Sequence, residues 1–137
     1  MAELSLLIAD TLRVVESFEQ CTLVAGETIT PGQAVRIDTS SGRFTKANAG
    51  SAPEARVYGM AVGSHIIPAG YPLTAIRRGV VDGFDLTAAY DAAIYLGNTD
   101  GALADAAGTV NVVVGRVLPA TARPIGSDSS KLLLIHL

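Results

Sequence analysis

The sequence lacks residue types that several functional classes need. Cys21 is the only cysteine, which excludes an intrachain disulfide bond and a four-cysteine zinc site. There is no tryptophan, and charged residues make up only 17% of the chain, with a net charge of −3. Because a nucleic-acid-binding protein normally carries a basic face, we predict no nucleic-acid partner. No apolar run approaches the roughly 18 residues of a membrane span, and the start of the chain lacks the cationic residues of a signal peptide. We therefore predict no association with membranes.

The sequence is also poor in residues for catalysis or metal binding. Its two histidines, His65 and His136, are far apart and show no Cys-His or His-x-x-x-His spacing. Ser64 precedes His65, but neighbours on a strand point to opposite faces, so we do not expect a catalytic pair. The Gly-x-Ser-x-Gly elbow and the glycine-rich phosphate-binding loops are absent. We predict no catalytic, cofactor-binding or metal-binding residues and no enzymatic activity.

Apolar residues, by contrast, are abundant. They make up 49% of the chain, and the mean hydropathy is +0.38. A domain of 137 residues must expose a large surface, and only ten basic and 13 acidic side chains are present to cover it. We therefore expect another chain to cover part of the apolar surface.

Glycine and proline interrupt the chain every few residues after Ala25, with 14 glycines and six prolines in all. Helices of average length have little room between them. The short apolar and β-branched runs between these breaks are residues 34–37, 57–58, 73–76, 80–81, 93–96, 110–114, 117–118 and 132–137. This pattern predicts an all-β fold, a small β-barrel or β-sandwich of short strands, with turns at Pro31-Gly32 and Asp100-Gly101. We assign residues 21–137 to this single β domain.

Two segments of the chain resemble each other. Residues 34–44 (AVRIDTSSGRF) align with residues 93–103 (AIYLGNTDGAL), and each contains an apolar run followed by a polar turn with glycine. A step to glycine follows in both, Tyr58-Gly59 in the first and Val114-Gly115 in the second. We interpret this as a repeated unit of a hairpin and a third strand that approaches its neighbour at a glycine. The alternative is that any two hairpins look alike.

Residues 1–20 differ from the rest because they contain neither glycine nor proline. We interpret them as an N-terminal arm, extended or partly helical, that packs on another surface; an ordinary first strand of the barrel is the alternative. The arm supplies most of our predicted partner contacts, which are apolar residues at near-helical spacing: Leu4, Leu7, Ile8, Leu12 and Val15.

Arg77-Arg78 is the densest positive spot in the chain. The interpretation that we favour is that these two arginines lie at a solvated end of a strand. The functional alternative, which we include among the predicted partner contacts, is an ion pair with an acidic neighbouring chain, since the guanidinium fork binds a carboxylate at two points.

The segment Gly79-Val80-Val81-Asp82 resembles the third motif of the trimeric dUTPases, where the aspartate lies near the sugar and the attacking water. The tyrosine that this family has three residues after the aspartate is replaced here by Asp85. The serine-rich phosphate motif and the C-terminal glycine-rich arm are absent. A dUTPase-like nucleotide hydrolase is therefore an alternative, and we interpret Asp82 as a turn residue after a strand.

Several short sequence segments, taken together, are similar to those of the capsid cement, or head decoration, proteins of tailed bacteriophages. They are residues 29–35 (ITPGQAV), 58–61 (YGMA), 67–74 (IPAGYPLT), 78–81 (RGVV), 93–96 (AIYL) and 114–117 (VGRV). The resemblance implies a β-barrel or β-sandwich on the outer surface of the virion capsid, made in the host cytoplasm.

The same resemblance implies partners and a role. The chain would bind major capsid protein subunits and itself, commonly as a homotrimer, and would stabilise the expanded head against the packaged DNA. Another virion β protein, such as a tail-tube or head-fibre component, is the alternative.

Overall fold

The computed structural model describes residues 2–120 and 131–137, and among these residues it contains nine strands and no helix. The strands form one antiparallel sheet that curls into a half-barrel, so the prediction of an all-β, barrel-like fold is confirmed. The strands are β1 (Arg13–Val24), β2 (Ala34–Ile37), β3 (Phe44–Lys46), β4 (Gly59–Ala61), β5 (Pro72–Asp82), β6 (Ala93–Leu96), β7 (Leu103–Ala104), β8 (Val113–Pro119) and β9 (Lys131–His136).

The glycine and proline pattern located some strands well and others only in part. Strands β2 and β6 have the predicted bounds, and turns lie at 31–32 and 100–101, where Gly32 and Gly101 have φ of 91° and 76°. The predicted runs 73–76 and 80–81 belong to one strand, β5, because the intervening Arg77 and Arg78 point to solvent without ending it. Residues 57–58 and 110–112 precede β4 and β8.

The predicted repeat is present in the strand order, which is β3-β2-β4-β5-β9-β8-β6-β7. The first unit occupies one half of the sheet in the order β3, β2, β4, β5. The second unit occupies the other half with the equivalent strands in reverse order, so that β9 corresponds to β5, β8 to β4, β6 to β2 and β7 to β3. The register agrees as well, since Val35 faces Gly59 in the first unit and Ile94 faces Gly115 in the second. The equivalent strands β5 and β9 pair antiparallel, which relates the two units by an approximate two-fold rotation.

The two aligned glycines serve the same purpose in both units. A Cβ atom at Gly59 would lie 2.5 Å from the carbonyl oxygen of Ile76, and one at Gly115 would overlap the carbonyl oxygen of Leu134. Ile76 and Leu134 are themselves equivalent, because they face Met60 and Arg116, the residues that follow the two glycines. Glycine therefore lets each third strand cross close to the fourth, as the sequence predicted.

The main core lies between the two units and draws on both. It includes Met60 and Ile76 from the first unit and Ile94, Leu96 and Leu133 from the second, all fully buried.

The two hairpins also touch directly. The amide of Ala34 donates to the carbonyl of Gly101 at 2.9 Å, and the amide of Gly101 donates to that of Ala47 at 2.7 Å. The ends of the curled sheet are therefore held together by backbone hydrogen bonds as well as by the shared core.

The N-terminal segment takes the extended form of the two that the sequence allowed, and it packs on its own domain. The amides of Leu4, Leu7 and Leu12 donate to the carbonyls of Leu103, Gly83 and Gly63. Residues 2–12 thus form a strap across the sheet. Residues 13–24 form β1, so this part of the chain agrees with the alternative of an ordinary first strand. Our division between residues 20 and 21 falls within β1.

The close approach at the two equivalent glycines generates a stability prediction. Gly59→Ala and Gly115→Ala should each lower the free energy of unfolding by about 3 kcal/mol, because the added methyl group meets a backbone carbonyl that cannot rotate away. Denaturant unfolding measures the change. Gly42→Ala is the control: its φ is 68° but nothing lies within 4 Å of an added Cβ, so it should cost only about 1 kcal/mol. Equal losses for all three variants would contradict the role assigned to the crossing.

Candidate protein-docking surface

Strand β1 is the longest in the structure, with 12 residues, and it is an edge strand. Among the described residues it pairs only with β5, from Arg13 opposite Asp82 to Val24 opposite Pro72. A strand of this length presents about 40 Å of backbone. Exposed edges of this kind are templates for pairing with another chain, and proteins usually shorten or cover them.

The outward side of β1 carries apolar side chains. Phe18 is 68% exposed, whereas the other two phenylalanines, Phe44 and Phe84, are buried. Val14 and Val24 are exposed on the same strand. A large exposed aromatic beside an unpaired strand edge is the type of residue that anchors protein interfaces.

The seven predicted contact residues separate into different environments. Leu7, Ile8, Arg77 and Arg78 are exposed, and Val15 is partly buried. Leu4 packs partly buried against the main core. Leu12 is only 1% exposed and belongs to that core, so the prediction of Leu12 as a partner contact is corrected: the strap holds it inside the domain. Deleting residues 2–12 would therefore damage the domain itself.

The sequence reasoning placed the apolar residues of this segment at helical spacing and thereby missed the exposed face of β1. Val15 and Phe18 fall at irregularities of the pairing between β1 and β5, so alternate residues of β1 do not all share one face. The exposed residues nevertheless alternate at 14, 16, 18, 20, 22 and 24, as is typical of a strand. That alternation was the signal for Val14 and Phe18. It was obscured because Val15 and Phe18 also fit a helical stripe with Leu4, Leu7, Ile8 and Leu12.

Arg77 and Arg78 already have partners within the chain. The Nη1 atom of Arg77 lies 3.3 Å from Oε2 of Glu19 on β1, and its guanidinium lies over the ring of Tyr58, 5.7 Å from the centroid. The Nε–H of Arg78 donates to the carbonyl of Leu137 at 3.3 Å. Arg77 and Arg78 are therefore exposed to solvent, as that interpretation expected, but they lie within β5 and not at a strand end.

A cleft of about 820 Å³ lies beside Arg77. Its lining includes Arg36, Arg56 and Tyr58, together with apolar Ile37 and Val57. Burial raises the pKa of the Tyr58 phenol above its usual value, and the nearby charges of Cys21 and Glu19 raise it further.

Ser64 and His65, which we expected to point apart, are joined by a hydrogen bond. Both lie in an exposed turn rather than on a strand, and the Ser64 Oγ to His65 Nδ1 distance is 3.2 Å. The strand argument was therefore wrong for this pair. Because both side chains are open to water, the contact alone does not assemble a site.

Asp82, the residue that carries the dUTPase resemblance, is 2% exposed at the end of β5. Its Oδ2 atom lies 3.6 Å from Nη2 of Arg13, in an ion pair between β5 and β1. A carboxylate enclosed in this way ties two strands together and does not face an open pocket.

Within residues 2–120 and 131–137, no group of three or more His, Cys, Asp and Glu side chains is arranged to hold a metal ion. A helix long and apolar enough to cross a membrane is likewise not found in that part of the chain.

The pKa of Tyr58 generates a prediction on alkaline stability. Because the folded-state pKa lies above that of the unfolded chain, the phenol contributes stability that is fully present below about pH 10 and is lost as the pH rises through the folded-state pKa. Wild type should therefore lose more stability than Tyr58→Phe between pH 9 and about pH 11.5, measured by denaturant unfolding. Tyr71→Phe, at an exposed tyrosine, is the control and should follow wild type. If the Tyr58→Phe and wild-type profiles were parallel, the assigned cause would be wrong.

Comparison of the chain with models of protein families, with curated proteins and with solved structures gives no match.

Proposed function

We propose that the chain is a capsid decoration protein that binds the outer surface of a phage head and stabilises contacts between major capsid protein subunits. The observation that carries the proposal is the exposed edge of β1, with Phe18 at its middle. The resemblance to head decoration proteins, which spans roughly residues 28–120, supports the nature of the partner.

The β1 edge suits attachment to a protein lattice. Its outer amide and carbonyl groups, which pair with no other strand of the described residues, can extend a strand of a capsid subunit, and the exposed side chains of β1 then select the partner. Burying the exposed part of Phe18 would contribute about 2 kcal/mol. Contacts of this size become effective on a shell, because a multivalent assembly engages many sites together.

The decoration role also involves self-association, as a homotrimer. Exposed apolar residues away from β1 offer surface for sister subunits, and they include Tyr90 and Val113 near the second unit. Covering these residues would account for the high apolar content of a chain with few charges.

Binding to heads tests the proposal directly. Wild type, mixed with expanded, undecorated heads built from the major capsid protein of the same genome, should co-sediment with them. Phe18→Asp should reduce the bound fraction at least about tenfold, because an anchor is lost and a charge is placed in the interface.

Ile66→Asp is the matched control, since it makes the same change at an exposed apolar residue outside β1. It should bind heads more tightly than Phe18→Asp. Failure of wild type to bind heads would overturn the proposal, and assembly of wild type into rings or fibres would favour the tail-tube or head-fibre alternative.

Sedimentation equilibrium tests the self-association. A homotrimer should give a mass of about 42 kDa, three times the 14.1 kDa of the chain. A mass that stays at that of one chain up to millimolar concentration would contradict the trimer.

A further inference from the structure

The cleft beside Arg77 has a composition that the decoration role does not by itself explain. Three arginines, Arg36, Arg56 and Arg77, line one depression of about 820 Å³. The whole chain has only ten basic residues and a net charge of −3, so the local positive charge of the cleft contrasts with the net negative charge of the protein. Among the described residues that line the cleft none is acidic, although Glu19 pairs with Arg77 at its side.

The three arginines come from separate parts of the fold. Arg36 lies on β2, Arg77 lies on β5, and Arg56 precedes β4. The curl of the sheet brings these segments together. Like charges repel when they are grouped in this way, so the arrangement favours an anionic ligand that relieves the repulsion.

The cleft is not a by-product of the internal repeat. At the positions equivalent to Arg36 and Tyr58, the second unit has Tyr95 and Val114. The two units share their strand register and their crossing glycines, but only the first has arginine and tyrosine at these positions.

Arg36 also has an unused hydrogen-bond donor. Its Nε atom is shielded from solvent and has no hydrogen-bond partner among the described residues. A buried donor without a partner is unfavourable, so a ligand that accepts a hydrogen bond there would be stabilised.

Contacts within the cleft indicate which kind of anion fits. The Arg77 guanidinium is 3.3 Å from the Glu19 carboxylate, so a carboxylate is already bound at the side of the cleft. The ring of Tyr58 is already in contact with Arg77 and with Phe44, the latter at 5.6 Å between centroids, which does not favour stacking of a nucleotide base on it. Apolar Ile37 and Val57 beside the arginines suit a peptide with both acidic and apolar residues.

We propose that this arginine cleft, formed around Arg36, Arg56 and Arg77, binds an acidic segment of a partner protein through carboxylate–guanidinium pairs. This inference rests on the proposed function, because it takes the partner to be a subunit of the shell. It adds a second contact to the β1 edge, one that depends on charge and therefore weakens with salt.

Calorimetric titration tests the cleft without heads. The probes are a capped (Glu-Ala)₃ peptide, its neutral (Gln-Ala)₃ counterpart and inorganic phosphate, at low ionic strength. Wild type should bind the glutamate peptide, should not bind the glutamine peptide, and should bind phosphate more weakly than the glutamate peptide.

Arg56→Gln should weaken binding of the glutamate peptide at least about tenfold, as expected for the loss of a charge-assisted hydrogen bond. Arg56 is exposed and outside every strand, so the variant should fold, and an unchanged unfolding midpoint confirms this. Arg43→Gln removes the same charge from an exposed hairpin residue outside the cleft and should leave the affinity within about twofold.

The outcomes separate the two proposals. No binding of the glutamate peptide, or equal weakening by Arg43→Gln, overturns the cleft proposal. Tighter binding of phosphate, lost in Arg56→Gln, assigns the cleft to phosphate and also overturns it. Failure of wild type to bind heads counts against the decoration role alone, whereas heads bound equally well by wild type and Arg56→Gln count against the cleft alone.

Discussion

Strand β5 is the structural element on which the rest of the molecule depends, because β1, β4 and β9 all form hydrogen bonds with it. Through β4 it belongs to the first unit, and through β9 it is joined to the second. Through β1 it holds the strand whose other edge is free among the described residues. Its eleven residues therefore connect the core and both surfaces that we assign to partners.

The two surfaces lie on structures that β5 keeps in position. β1 pairs with β5 along almost its whole length, and Phe18 lies within the strand, at an irregularity of the pairing between Ser17 and Glu19. The arginine cleft uses a β5 residue, Arg77, which is oriented by Glu19 on β1 and by the ring of Tyr58. A docking surface that is already rigid loses little conformational entropy when it binds.

The sequence was sufficient for the features that depend on local residues. The strand bounds of β2 and β6, the turns at Gly32 and Gly101 and the internal repeat follow from β-branched runs and glycines at short range. The crossing glycines Gly59 and Gly115 could be predicted because an aligned glycine in a strand indicates a close approach of backbones.

Features that depend on distant contacts could not be predicted in the same way. The burial of Leu12 follows from a strap whose partners, Gly63, Gly83 and Leu103, lie far along the chain. Arg36, Arg56 and Arg77 are ordinary isolated charges in the sequence, and only the curl of the sheet makes them one cleft. The exposed face of β1 was readable in principle, but its apolar residues fit a helical period as well as the period of a strand.

In the complex that we propose, the partner pairs with the edge of β1 that is free among the described residues. Hydrogen–deuterium exchange of the protein, alone and bound to heads, measures this at the backbone, since amides that enter a new strand pairing become protected. Outward-facing amides within residues 13–24 should become more protected on binding. Unchanged exchange along β1, in protein that is demonstrably bound to heads, would contradict this pairing.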